Sequence, residues 1–335
     1  MLKHPIISIS NISEVVAVSY VSRLLVVLTS FFAISCSDPT PTEPDAATGA
    51  KPKVLLVMKS LVNPFYLELE KGAKRAAKEQ GIELIVRSGT NETLVEQQAE
   101  LIDKQLRMGI DAIVIAPADS VRIVPVLKKA SLAGIKLINI DNRISQKAVA
   151  NAGLSPIPFV SVDNNQGGYL AAQHLVEKTK LLGQRKALII EGPRAAANAR
   201  QRREGAKRAF AESPSVNIVG SEVGNWHLEQ AYAITKRVHN EHPDLALIFC
   251  ANDMMALGAA LYLQENKLKQ IKIAGYDDIP DARTAIQDGW MMATIDQQAE
   301  MQGYAGVVAA AKQLRGEKVE DEVIVDVKLI TAKDI

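Results

Sequence analysis

From Lys53 onward the hydrophobic positions follow one rhythm: short Val, Ile and Leu runs alternate with longer segments whose apolar residues recur at helical spacing. Strand-like runs fall at Val54–Met58, Glu83–Val86, Ala112–Ala116 and Leu137–Ile140, with amphipathic segments near 65–80, 92–108 and 121–133 between them. A second series starts at Phe159–Val162 and continues through Ala187–Ile190, Val216–Val219, Leu245–Phe249 and Ile271–Ala274. Strands that are apolar almost throughout belong to parallel sheets covered by helices on both faces. The pattern predicts an α/β protein of two doubly wound parallel-sheet lobes. The breaker-rich stretch Asn151-Ala-Gly-Leu-Ser-Pro-Ile-Pro158 separates the series and is the first candidate for a crossing between lobes.

The N-terminal region reads differently. Arg23 is followed by the apolar run Leu24–Ile34 and then Ser35-Cys36, the shape of a signal peptide. The run is too short for a transmembrane helix, which needs about 20 residues. Ala33-Ile34-Ser35-Cys36 resembles a bacterial lipobox, so residues 1–36 are expected to form a lipoprotein signal with Cys36 as the lipidated residue. Residues 37–52 are rich in Pro and Thr and are expected to be a flexible tether. Anchor and tether would place the globular part outside the cytoplasm.

Composition narrows the function. Of 335 residues, 39 are Lys or Arg and 38 Asp or Glu, a balance that argues against nucleic acid as a partner. Cys36 and Cys250 are too few for a disulfide framework or a zinc site. Phosphate-binding, nucleophile-elbow and dinucleotide-binding glycine motifs are absent from the sequence, so an enzyme has little support and no cofactor is expected. His239 and His242 read as a solvated helix end, and Cys250 as a buried, inert thiol at a strand end.

Open α/β sheets bind ligands at the carboxyl ends of their strands, and here those ends carry polar and aromatic residues. Lys59, Asn63, Phe65 and Tyr66 follow the first strand; Asp141, Asn142 and Arg143 follow the fourth. Later come Arg200, Trp226, Asn252, Asp277 and Gln297. Singly, each has a structural explanation in a cap, a turn or a core position. Together they suit a sugar, whose C–H faces stack on aromatic rings and whose hydroxyls pair with Asp, Asn, Arg and Gln. With 15 aromatic residues in the chain, Phe65, Tyr66 and Trp226 at such positions exceed what composition predicts.

Seven ordered segments carry a family resemblance: Met58–Tyr66 with Glu70–Ala73, Ile140–Arg143, Val162–Gly168, Ala199–Gly205, Ala251–Gly258, Gly275–Asp277 and Ala293–Gln297. In these the chain resembles the periplasmic sugar-binding proteins of ABC transporters, of the ribose-binding type. The resemblance implies the periplasmic binding protein type I fold: two lobes joined by a three-crossing hinge, with the ligand in the interlobe cleft. The lobes would be 53–162 with 298–326, and 163–297 with 327–335. Carried over by position, the ligand contacts fall on Asn63, Phe65, Tyr66, Asp141, Arg200, Trp226, Asn252, Asp277 and Gln297.

The sequence departs from the family pattern at three places. Lys59 replaces a small hydroxyl residue, which would favour a different hydroxyl arrangement or an acidic sugar. Asp141-Asn142-Arg143 leaves open whether Asn142 or Arg143 faces the ligand. Asp296 replaces a small residue beside Gln297. The expected function is the extracytoplasmic receptor of an ABC importer, a monomer that binds a small monosaccharide or polyol and delivers it to the permease. The alternative is a sensor that presents a sugar or signal molecule to a chemoreceptor or histidine kinase.

Overall fold

The computed structural model describes residues 50–179 and 183–335. The signal peptide, Cys36 and the tether up to residue 49 lie outside the described residues. Two six-stranded sheets organise the rest.

The first sheet is built from β1 (Lys53–Ser60), β2 (Glu83–Gly89), β3 (Ala112–Ile115), β4 (Lys136–Ile140) and β5 (Phe159–Val162). The helices between them are α1 (Phe65–Gln80), α2 (Val95–Leu106), α3 (Val124–Leu132) and the short α4 (Gln146–Asn151). The chain then enters the second lobe with α5 (Asn164–Thr179), β6 (Arg185–Glu191), α6 (Ala197–Ala211), β7 (Val216–Val223) and α7 (Leu228–Glu241). It continues through β8 (Leu245–Cys250), α8 (Asp253–Glu265), β9 (Lys272–Ala274), α9 (Pro280–Gln287) and β10 (Ala293–Asp296). Next, α10 (Ala299–Leu314) returns to pack on α1, β11 (Glu322–Val325) pairs with β5, and β12 (Lys328–Thr331) pairs with β10.

The two strand orders are β11-β5-β4-β3-β1-β2 and β12-β10-β9-β8-β6-β7, the same winding used twice. All pairings are parallel except β10 with β12. The chain passes between the sheets three times: after β5, between β10 and α10, and between β11 and β12.

The physical reason for the apolar strands is visible at β1. Val54, Leu56 and Met58 face one helical layer while Leu55 and Val57 face the other, and all five are fully buried. Close helix packing relies on glycine. A Cβ at Gly205 of α6 would lie 2.0 Å from the carbonyl oxygen of Asn165 on α5, and one at Gly168 of α5 would lie 2.2 Å from that of Arg202. This near-contact of α5 and α6 bears directly on the site below.

Two expectations from periodicity are corrected. The stretch 151–158 is not a crossing but the lead into β5, which belongs to the first sheet and not to the second series. Apolar rhythm could not distinguish these, because β5 looks the same whichever sheet it joins. The segment expected from residue 92 becomes helical only at Val95, because Asn91 closes a local turn by accepting from the Thr93 N–H and hydroxyl.

Candidate functional site

The carboxyl ends of both sheets face each other across a cleft that the lining side chains nearly fill, leaving a cavity of about 10 Å³. The first lobe lines it with Lys59, Asn63, Phe65, Tyr66, Glu92 and Asp141. The second lobe lines it with Asn198, Arg202, Trp226, Asn252, Asp277 and Gln297.

Each side chain is held by its local structure. Lys59 ends β1 and is 2% exposed, with Nζ 2.8 Å from Asp141 Oδ2 and about 6 Å from the rings of Tyr66 and Trp226. Asn63 accepts from the Phe65 N–H as α1 begins, which turns its amide into the cleft, where Nδ2 donates to Asp277 at 3.2 Å and Glu92 at 3.3 Å. Phe65 and Tyr66 meet edge to face with centroids 5.0 Å apart. The Tyr66 hydroxyl donates weakly to Asp141 and Glu92, each at 3.4 Å.

In the second lobe Arg202 is the hub. Its guanidinium donates to Asn164 Oδ1 at 2.8 Å, the Ala251 carbonyl at 2.9 Å, Gln297 Oε1 at 3.1 Å and Asp277 Oδ1 at 3.5 Å. It also stacks 3.7 Å from the Tyr276 ring centroid. Gln297 Nε2 donates to Asp277 Oδ1 at 2.6 Å, and its own amide oxygen takes the Arg202 bond, so its orientation is fixed. Asn252 caps α8 by accepting from the Met255 N–H at 3.0 Å.

Backbone strain collects here. Asp141 (φ 58°), Trp226 (φ 69°) and Asp277 (φ 127°) all sit at positive φ, a region L-residues avoid. The Trp226 indole lies so close over Gly192 that a Cβ there would come within 2.2 Å of the ring. Two buried donors lining the cavity, Trp226 Nε1 and Asn252 Nδ2, have no protein acceptor. Buried donors are nearly always paired, so these two point to a ligand that offers acceptors.

Burial also shifts the acids. Desolvation pushes Glu92 up to about 7, with Asp277 and Asp141 adding to it and Lys59 opposing. Asp277 is pushed up to about 6 by desolvation, against the pull of Arg202. Tyr66 is raised by burial and by Asp141 beside it.

Three expected contacts are not in the cavity. Arg200 is exposed and donates to the Arg194 carbonyl; Arg202, one half-turn on, takes the inward place. The buried face of α6 runs through Asn198, Ala199, Arg202, Gly205, Ala206 and Ala209, and Arg200 is off it. Counting that period would have selected Arg202. Asn142 is fully buried but bonded to Pro117 and to the Asn198 N–H, away from the cavity. Arg143 pairs with Glu322 and stacks on Phe159. Neither residue of that pair lines the cavity. Asp296 accepts from the Gln298 N–H at 2.6 Å and lines an outer groove. Sequence reasoning also missed Glu92 and Asn198. Glu92 follows the end of β2, as other lining residues follow their strands, but its helical spacing with the segment beyond hides it.

This architecture, two like-wound lobes closed over a small polar and aromatic cavity, defines a ligand-capturing protein of the hinged kind. Residues 54–318 match the family model for the periplasmic binding protein domain. The chain is 40% identical over 294 residues to the D-ribose/D-allose-binding protein of Pseudomonas aeruginosa, covering 86% of this chain and 91% of that one. It is 31% identical to the ribose import binding protein of Escherichia coli, covering 84% and 91%. Among solved structures, a periplasmic solute-binding protein of an Actinobacillus succinogenes ABC transporter, with bound D-allose, superposes with a TM-score of 0.80. It is 35% identical and covers 85% of this chain and 99% of that chain. The chain belongs to the periplasmic binding protein family, a family of binding proteins and not of enzymes. Membership implies a periplasmic location.

Proposed function

We propose that this protein is the sugar receptor of an ABC importer and that it takes a neutral monosaccharide of the ribose or allose kind. The observation that carries the reading is the cavity itself: aromatic faces from both lobes, with the unpartnered donors Trp226 Nε1 and Asn252 Nδ2 beside them. The ligand names of the similar proteins support the choice of sugar.

Charge argues for a neutral ligand. The lining sets Glu92, Asp141 and Asp277 against Lys59 and Arg202, and both cations are already engaged with carboxylates. The acidic sugar that a free lysine would favour finds no free cation in this lining. The ligand contacts we assign are Lys59, Asn63, Phe65, Tyr66, Glu92, Asp141, Asn198, Arg202, Trp226, Asn252, Asp277 and Gln297.

The test is a thermal-shift and calorimetric screen of the protein, stripped of carried-over ligand by unfolding and refolding. The panel holds pentoses, hexoses, deoxy sugars, inositols and sugar acids. Sugar at about 1,000 times its dissociation constant adds roughly 4 kcal/mol, a rise of several degrees in Tm. D-ribose or D-allose should give that rise; a response to sugar acids alone, or to nothing, overturns the reading.

The finer proposals concern delivery. The lipobox-like segment and tether support a receptor anchored through Cys36, handing its closed form to the permease. Cys36→Ser should release the protein from the membrane fraction; a variant retained there argues for an uncleaved anchor.

A further inference from the structure

Helix α6, which carries Asn198 and Arg202 into the cavity, begins without a cap of its own. Its N-cap residue is Ala196, whose backbone is extended (φ −87°, ψ 128°) as a capping residue requires but whose methyl group offers no acceptor. The first two N–H groups of the helix nevertheless have partners, and both partners belong to the opposite lobe. The Ala197 N–H donates to Ser120 Oγ at 3.0 Å, and the Asn198 N–H to Asn142 Oδ1 at 3.2 Å. A backbone bond from the Ser120 N–H to the Ala195 carbonyl, at 3.1 Å, runs alongside.

The acceptors are held ready by their own lobe. Asn142 donates Nδ2 to the Pro117 carbonyl at 2.8 Å, and its backbone carbonyl accepts from Asn139 Nδ2 at 2.8 Å. The Ser120 carbonyl accepts from the Ser145 N–H at 2.7 Å. Ser120 is 2% exposed and Asn142 fully buried, and neither lines the cavity. When the lobes part, the two α6 amides lose these acceptors and turn to water; when they close, the cap re-forms in a dry setting.

We propose that Ser120 and Asn142 are positioning residues that cap α6 from the opposite lobe, so that they set how readily the cleft closes, and with it sugar affinity, without touching the sugar. The affinity part of the proposal rests on the sugar-binding reading. A term that acts on closure multiplies the affinity for every ligand that closes the cleft. It also fixes the start of the helix whose inward face presents Asn198 and Arg202, four residues apart.

The experiment compares the wild-type protein with Ser120→Ala, Asn142→Ala and the double variant. Single-molecule energy transfer between one label on each lobe reads the closed fraction, with and without D-ribose or D-allose. Calorimetry reads affinity, and a thermal scan reads the Tm of the unliganded protein. Ser120→Ala should weaken both sugars by the same factor, about fivefold, the usual effect of deleting one cap acceptor. The closed-to-open ratio without sugar should fall by that factor, and the unliganded Tm should stay put, since the cap is absent from the open form. An unchanged closed-to-open ratio overturns the proposal, as does a loss confined to one sugar, which would mean direct contact. A lower Tm with unchanged closure would mean a purely structural role within the first lobe. Should the wild-type protein bind neither sugar, the sugar reading fails, while the closed fraction without sugar still decides the cap.

Discussion

In the first lobe the cavity's cation, Lys59, meets a carboxylate of its own sheet, Asp141; in the second, Arg202 gathers Asn164, Ala251, Asp277 and Gln297 from the ends of other elements of its own lobe. What crosses the cleft is different in kind. Asn63 of the first lobe donates to Asp277 of the second at 3.2 Å, and Asn198 of the second donates to Asp141 of the first at 3.0 Å. Among the described residues, each buried ion pair of the site is complete within one lobe, and neutral amides make the reach. The lesson is energetic. Separating a buried ion pair leaves uncompensated charge at a cost of about 3–5 kcal/mol, whereas parting an amide from a carboxylate that can rehydrate costs much less. The cleft can therefore open without dismantling either charged centre.

The contrast between the two centres can be broken most severely at the hub. Arg202→Ala should abolish detectable sugar binding and lower stability by about 3–5 kcal/mol, because Asp277 is left buried without its cation. Calorimetry and denaturant unfolding read the two effects; a variant that still binds within tenfold of wild type overturns the hub. Lys59→Met should cost less, about tenfold in affinity, since Lys59 ties down Asp141 alone whereas Arg202 holds four groups together. Adding Asp141→Asn should restore part of the stability that Lys59→Met loses, a sign that the pair and not the lysine alone was at stake. A double variant less stable than Lys59→Met speaks against a self-contained pair.

A smaller effect separates Glu92 from both centres. Its carboxyl is raised from an ordinary 4.5 to about 7, chiefly by burial, so the folded protein holds this proton more tightly than the unfolded chain does. The stability gained from that proton is complete below about 4.5 and is lost as pH rises through about 7. Asp277 acts in the same sense, with its loss centred near 6. Glu92→Gln should therefore gain Tm relative to wild type between pH 5.5 and 8; parallel profiles would show that the group is not buried in solution. The smallest effect is expected at Arg200→Ala, which should leave affinity within about twofold, because that exposed side chain reaches only Arg194. A large loss there would return Arg200 to the site in place of Arg202.

Legibility followed the range of the interaction. Strands such as β1 and β8 were readable because burial on both faces demands an unbroken apolar run, a purely local signature. The edge strands β11 and β12 carry no such signature, because a half-covered edge mixes Glu322 and Lys328 with a few aliphatic residues. Nine of the cavity's lining residues were legible in the sequence, since strand ends in such a sheet must point at the cleft. Glu92, Asn198 and Arg202 were not; the first sits in a turn that looked helical, and the others depend on the rotation of α6.

By itself the sequence determined the two like-wound lobes, the cleft between them and the aromatic and polar character of its lining, because hydrophobic period and strand-end chemistry are written residue by residue. Only the tertiary structure decided that Arg202 and not Arg200 turns inward, and that Lys59 is already paired with Asp141. Those outcomes rest on contacts between segments far apart in the chain, such as the glycine-mediated approach of α5 and α6, which sets the face that α6 shows to the cavity.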